Sequence, residues 1–151
     1  MISMDKHQHL GCYGLLIKDD KILLIKKKTG PYDGLLDLPG GSFEFGEKPE
    51  ETLKREFLEE TGLELVDYRL YDVDSVNVEW NYDQNTNIIF HHIGIFYKVI
   101  DYKNDIINSI AIDRQNDDSL GADFYNIFAL KKENLSAIAL LELEKLGYKF
   151  D

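Results

Sequence analysis

A chain of 151 residues, 44% hydrophobic and 30% charged, is sized and composed for one globular domain and is too apolar for a disordered segment. Lys plus Arg number 17 against 28 Asp plus Glu, a net charge of −11, so the surface repels bare phosphate backbones and a nucleic-acid polymer is excluded as an unaided partner. A polyanionic ligand would have to bring cations with it. The single cysteine, Cys12, cannot form an intrachain disulfide, which fits a reducing compartment. No apolar run approaches the ~20 residues that span a bilayer, and the first ten residues lack a signal-peptide core. The expectation is a cytoplasmic protein without a membrane partner, residues 1–151 forming one domain.

The first elements read as a hairpin, Gly11–Ile17 and Lys21–Lys27, split by Lys18-Asp19-Asp20. A turn-rich loop, Thr29 to Gly34, leads to a short strand over Leu35–Leu38 that Pro39-Gly40-Gly41 ends. Ser42 to Lys48 is irregular. Pro49 suits a first helical turn, Glu50 and Glu51 suit a helix N-terminus, and Gly62 stops a helix predicted to reach about Thr61. Val76, Val78, Trp80 and Tyr82 alternate with polar residues as a strand with one wet face. Ile88–Ile100 is apolar on both faces, as in a central strand. Asp101 to Asp118 reads as a long loop with a short strand in the patch Ile106–Ile112. Ala122–Phe128 reads as a last strand, and Ser136–Leu146 as an amphipathic helix stopped by Gly147. Strands, helix, strands, helix in one chain imply an α/β sandwich with a mixed sheet.

The predicted first helix carries Glu56, Glu59 and Glu60 on one stripe about 100° wide. Like charges three and four residues apart destabilise a helix. Two carboxylates ~4 Å apart repel by about 4 kcal/mol at an effective dielectric of 20. Glu51 and Arg55 make an oriented i,i+4 pair, but no cation on the helix is placed to neutralise Glu56 and Glu60. Two readings stand: a solvated acidic face, or oxygen ligands for a hard divalent cation, Mg²⁺ or Mn²⁺.

The longer pattern is more specific. Gly41, five residues, Glu47, seven residues, then Arg55-Glu56-Phe57-Leu58-Glu59-Glu60-Thr61-Gly62-Leu63 resembles the Nudix box, the signature of the Nudix hydrolases. Seven fixed residue types make a chance match rarer than about one in a million. Phe57 stands where the family is usually aliphatic. Leu38-Pro39-Gly40-Gly41 is also typical, and the predicted strand order extends the resemblance over most of the chain. The resemblance implies a Nudix-type α/β/α sandwich with a mixed β-sheet. It also implies residue roles. Glu56, Glu59 and Glu60 match the metal-binding glutamates, and Gly40 matches the residue giving a backbone carbonyl ligand. Arg55 matches the arginine that orients the first glutamate. Glu47 matches the loop glutamate that supports the site, in some members through a second metal.

The implied reaction is attack of water on a phosphorus of a nucleoside diphosphate linked to another moiety, with Mg²⁺ or Mn²⁺ offsetting the developing charge. Glu59 and Asp118 are the candidate bases, Asp118 in the loop before the last strand. Lys26, beside Lys27 and Lys28 at a strand end, is a candidate phosphate contact, and Tyr32 and Tyr82 are candidate substrate-stacking residues. His91 and His92 must point to opposite faces of their strand; one is a candidate to line the pocket, and a partnered structural role is the favoured reading. The ADP-ribose class usually carries a proline about 15 residues past the box, where this chain has Val78. Tyr82 lies further on than the tyrosine of the dinucleoside polyphosphate class. Elimination therefore favours a nucleoside triphosphate, as in MutT-like members. The alternatives are a non-hydrolytic nucleotide sensor and the dinucleoside polyphosphate and ADP-ribose classes. A homodimer is an expected possibility for this aromatic-rich chain.

Overall fold

The tightest local signal is Asp19-Asp20, whose φ values of 53° and 62° make a two-residue hairpin turn of the twist-matched kind. Around it, the computed structural model describes residues 3–106 and 119–151. Ten regular elements follow in order: β1 (Ser3–Leu15), β2 (Ile17–Lys18), β3 (Lys21–Lys27), β4 (Leu36–Asp37), β5 (Gly40–Ser42), α1 (Pro49–Thr61), β6 (Glu64–Asn81), β7 (Thr86–Lys103), β8 (Ser119–Asn126) and α2 (Ala137–Lys145). Positions 107–118, with most of the patch Ile106–Ile112 and Asp118, lie outside the described residues.

Two four-stranded sheets form. One has the order β5-β1-β7-β6; in the other, β3 pairs with β2, β4 and β8. β1 and β7 run parallel while every other pair is antiparallel, so the first sheet is mixed. β7 is central, as its two apolar faces require. Single-residue alternation then sorts the core between two helices. Cys12, Leu16 and Leu23 pack with Leu53 and Phe57 of α1, whereas Tyr13, Leu15, Ile22 and Leu24 pack with Ile138, Ala139 and Leu143 of α2. The result is the expected α/β/α sandwich. Among the described residues, no helix is long and apolar enough to cross a membrane.

The predicted helix is matched at both ends. Pro49 opens α1, the Lys48 backbone N–H donates to Glu51 Oε1 at 3.1 Å, and Gly62 (φ 82°) closes it with its N–H on the Leu58 carbonyl. The strands are longer than predicted. β1 begins at Ser3 rather than Gly11, because its polar first half is held by the parallel ladder to β7, from Ser3 opposite Thr86 onward. β6 likewise starts at Glu64, paired with Lys103. β5 escaped the sequence reading because Gly40-Gly41-Ser42 offers no apolar alternation; backbone pairing with Gly11, Cys12 and Tyr13 makes it a strand.

Phe57, the aromatic at a usually aliphatic position, is fully buried. Gly14 makes its room: a Cβ there would sit 2.4 Å from Phe57 Cε2. We expect Phe57→Ala to cost about 3–5 kcal/mol in urea unfolding. We expect Gly14→Ala to be strongly destabilising in the wild-type background and much less so beside Phe57→Leu, a coupling that a double-mutant cycle reads. Additive costs would remove the pairing.

Candidate active site

Two glycines let the loop meet the carboxylate helix. Gly40 takes a φ of 144°, and a Cβ there would fall 2.0 Å from the Cys12 carbonyl oxygen, so no other residue fits. A Cβ on Gly41 would lie 2.7 Å from Glu56 Cδ; its absence is the seat of that carboxylate. The Gly40 N–H donates to Glu60 Oε1 at 2.8 Å, which anchors this buried side chain to the loop.

Arg55 is the hub. Its Nε and Nη2 grip Glu47 through two bonds of 2.8 and 2.9 Å, and Nη2 also donates to the Ser42 carbonyl at 2.9 Å. Nη1 donates to Glu56 at 2.9 Å and to Glu59 at 3.3 Å. All five guanidinium hydrogens are used. Glu47 is braced further by the Glu44 N–H at 2.8 Å and the Thr52 hydroxyl at 2.9 Å. Arg55, then the Glu44 backbone, hold the Glu47 carboxyl down at about 2. Glu56 is raised instead: burial outweighs the help from Arg55, Glu59 adds repulsion, and Lys27 offsets part of it.

The glutamates share a stripe but are not drawn to one point. Among the described residues, no three His, Cys, Asp or Glu side chains converge on a metal position. Glu56 and Glu59 share one guanidinium nitrogen, and Glu60 turns to the Gly40 amide. The donor chemistry nevertheless fits a hard cation. Carboxylates of Glu44, Glu47, Glu56 and Glu59 all lie within 4 Å of Arg55, leaving one positive charge among four negative ones.

Across the loop, a polar–aromatic cluster lies on the α2 side of the first sheet. His92 is buried, with Nε2 2.6 Å from the Tyr13 hydroxyl and Nδ1 2.8 Å from that of Tyr32. His9 stacks on Phe90, their ring centroids 5.8 Å apart. Half-buried Lys27 acts electrostatically on both Glu56 and His92. Burial chiefly, then His9 and Lys27, push His92 down to about 3.

Comparison with known proteins now decides the family. The NUDIX domain model matches residues 6–121. The chain belongs to the Nudix family. An ADP-ribose pyrophosphatase of Methanocaldococcus jannaschii is 51% identical over 57 residues, 38% of this chain and 34% of that protein. The chain thus spans about a third of the length of that curated relative. A MutT NUDIX hydrolase from Burkholderia pseudomallei superposes with a TM-score of 0.72 at 23% identity, over 93% of this chain and 98% of that one. The NUDIX domain of Shewanella oneidensis NrtR, complexed with ADP ribose, superposes at 0.57 and 17% identity, over 93% and 86%. These two likenesses are of fold.

Against that Nudix frame, the residues singled out by sequence divide. Arg55, Glu47, Glu56, Glu59, Glu60 and Gly40 are brought together by the loop and α1. Lys26 is exposed, whereas its strand neighbour Lys27 is half-buried and acts electrostatically on Glu56. Tyr32 is buried under the aromatic face as a hydrogen-bond partner of His92, not as an open stacking ring. Tyr82 is exposed at the tip of the β6–β7 hairpin, hydrogen-bonded to Thr86 and packed edge-on to Trp80. Nine residues of β7 separate Thr86 from Ile95, which is level with Gly41 through Cys12. That is about 30 Å of strand, which removes Tyr82 from the glutamates of its own chain. Asp118 lies outside the described residues. His91 pairs with Gln8 at 3.0 Å and His92 with the two tyrosines. Burial pushes the Cys12 thiol up to about 12, so it stays a small buried hydrophobe. The Thr52 brace and the Ser42 carbonyl carried no signal in sequence, since both act through loop geometry.

The depressed His92 has a measurable consequence. Between its ordinary value of 6.5 and about 3, the unfolded chain binds a proton that the folded chain refuses, so stability falls as pH is lowered. We expect wild type to lose up to about 1.4 kcal/mol per pH unit in that window relative to His92→Gln. Urea unfolding at pH 7 and pH 4 checks this, and parallel losses would contradict it.

Proposed function

We propose that the chain is a divalent-metal-dependent pyrophosphohydrolase acting on a nucleoside diphosphate linked to another moiety. The observation that carries this reading is the seat of Glu56, set against Gly41, held by Arg55 and crowded by Glu59, beside the Glu60–Gly40 anchor. Such an oxygen-only set with excess negative charge suits Mg²⁺ or Mn²⁺. The residues that would hold the cation are Glu56, Glu59 and Glu60, with the Gly40 carbonyl. When bound, the ion supplies charge neutralisation for the phosphates and acidifies a water. Glu47 keeps Arg55 oriented and thereby fixes Glu56. Glu59, half-exposed and held by the longest of the Arg55 bonds, is the carboxylate most free to move and is assigned as general base. Lys27 supplies a positive charge for the substrate phosphates, and His9 and Phe90 offer aromatic faces for a nucleoside.

Two substrate classes have specific support. The ADP-ribose pyrophosphatase relative matches over 57 residues at 51% identity, which favours ADP-ribose. The absence of any proline after Pro49 favours a nucleoside triphosphate. Incubation with Mg²⁺ and a panel of both compounds, with dinucleoside polyphosphates, separates them by products: AMP and ribose 5-phosphate, or a nucleoside monophosphate and pyrophosphate. Nucleotide binding without turnover under Mg²⁺ and Mn²⁺ would establish a sensor. We expect EDTA to abolish turnover. We expect Glu59→Gln to lose activity by orders of magnitude with an unchanged melting temperature, and wild-type turnover in that variant would move the base elsewhere.

A further inference from the structure

Away from the glutamate helix, α2 buries a carboxyl group that the reaction does not use. Glu142 is fully buried, and among the described residues neither of its carboxyl oxygens has a hydrogen-bond donor. It faces β6, where Asp72 and Asp74 both hold the ammonium of Lys145, Asp72 at 2.6 Å. Lys145 lies three residues after Glu142 on the same face of α2. It is already shared between two carboxylates, so a third ionised carboxyl here would be buried, without a donor and beside two negative charges. That arrangement is among the costliest a fold can hold. Protonation resolves it, because a carboxylic acid is itself a donor and Asp72 is an acceptor.

We propose that Glu142 is a carboxylic acid in the folded protein at neutral pH, donating its hydrogen to Asp72, and that this shared proton latches α2 onto β6. Burial first, then the hydrogen bond and charge of Asp72, raise Glu142 to about 8; Lys145 opposes the shift and Asp74 adds to it. These are the charged groups facing Glu142 from β6 and from α2 itself. On β4, which α2 also packs against, Asp37 is engaged nearly two turns away by the Ser136 hydroxyl at 2.6 Å. That second contact gives the latch its reach. It ties the start of α2 to Asp37, three residues before Gly40, whose amide holds Glu60.

The sign follows from proton counting. Between the ordinary carboxyl value of 4.5 and about 8, the folded chain keeps a proton that the unfolded chain has lost, so this group's contribution to stability falls as pH rises and levels off above that window. The test compares wild type with Glu142→Gln, an amide of the same shape that can donate to Asp72 without titrating. We expect the melting temperature of wild type to fall by about 10 °C relative to Glu142→Gln between pH 5 and pH 8.5. Other groups titrating in that range, His92 included, cancel in the difference. A second measurement reads the proton directly: wild type should show an infrared carboxylic-acid band at pH 7 that vanishes near pH 8 and is missing from Glu142→Gln. Parallel melting curves, or the absence of that band at pH 7, would overturn the proposal.

Discussion

Arg55 makes the acidic loop and the acidic helix compatible with one another. Glu44, Glu47, Glu56 and Glu59 would repel if the guanidinium were absent, and its planar fork meets them along fixed directions. The bidentate grip on Glu47 and the bond to the Ser42 carbonyl set the loop over α1. With the loop set, Gly41 faces Glu56 and Gly40 reaches Glu60. A lysine would supply the charge but not five directed donors. The site therefore hangs from one side chain whose hydrogen bonds are all committed, while the excess negative charge around it stays available to a cation.

The rest of the fold delivers that arrangement. β1 carries the backbone that β5 pairs with, and β5 is the segment holding both glycines. β1 in turn is aligned by its parallel ladder to the central β7. On one side of these strands Phe57 locks α1 against Gly14; on the other, His92 ties β7 to Tyr13 and Tyr32. The glutamate helix and the aromatic face thus share the same two strands as a common floor. The charge of half-buried Lys27 acts on a group of each, Glu56 and His92.

Helix α1 and its ends were legible because their signals are local. Pro49, the paired glutamates and Gly62 act within a turn of their own position, and the seven spaced residue types of the box are a pattern along the chain. The central strand was legible because β7 is apolar on both faces. The polar half of β1 was not, since Asp5 to Gln8 pair through backbone groups with a strand more than 80 residues away. β5 hid for the same reason. Lys26 and Lys27 were indistinguishable in sequence, because which of two neighbours turns inward depends on the facing sheet. The place of Tyr82 at a hairpin tip was not legible either, because a spacing along the chain says nothing of how far a hairpin projects.

Sequence alone determined the fold class, the helix that bears the carboxylates and the identity of Arg55 as their partner, all through interactions a few residues long or through a spaced signature. Tertiary structure decided which side chains meet. It sent Glu60 to the Gly40 amide, half-buried Lys27 while leaving Lys26 exposed, clamped His92 between two tyrosines and buried Glu142 under α2. Each of those depends on long-range strand pairing and on burial, and burial is a property of the assembled layers that no single segment carries.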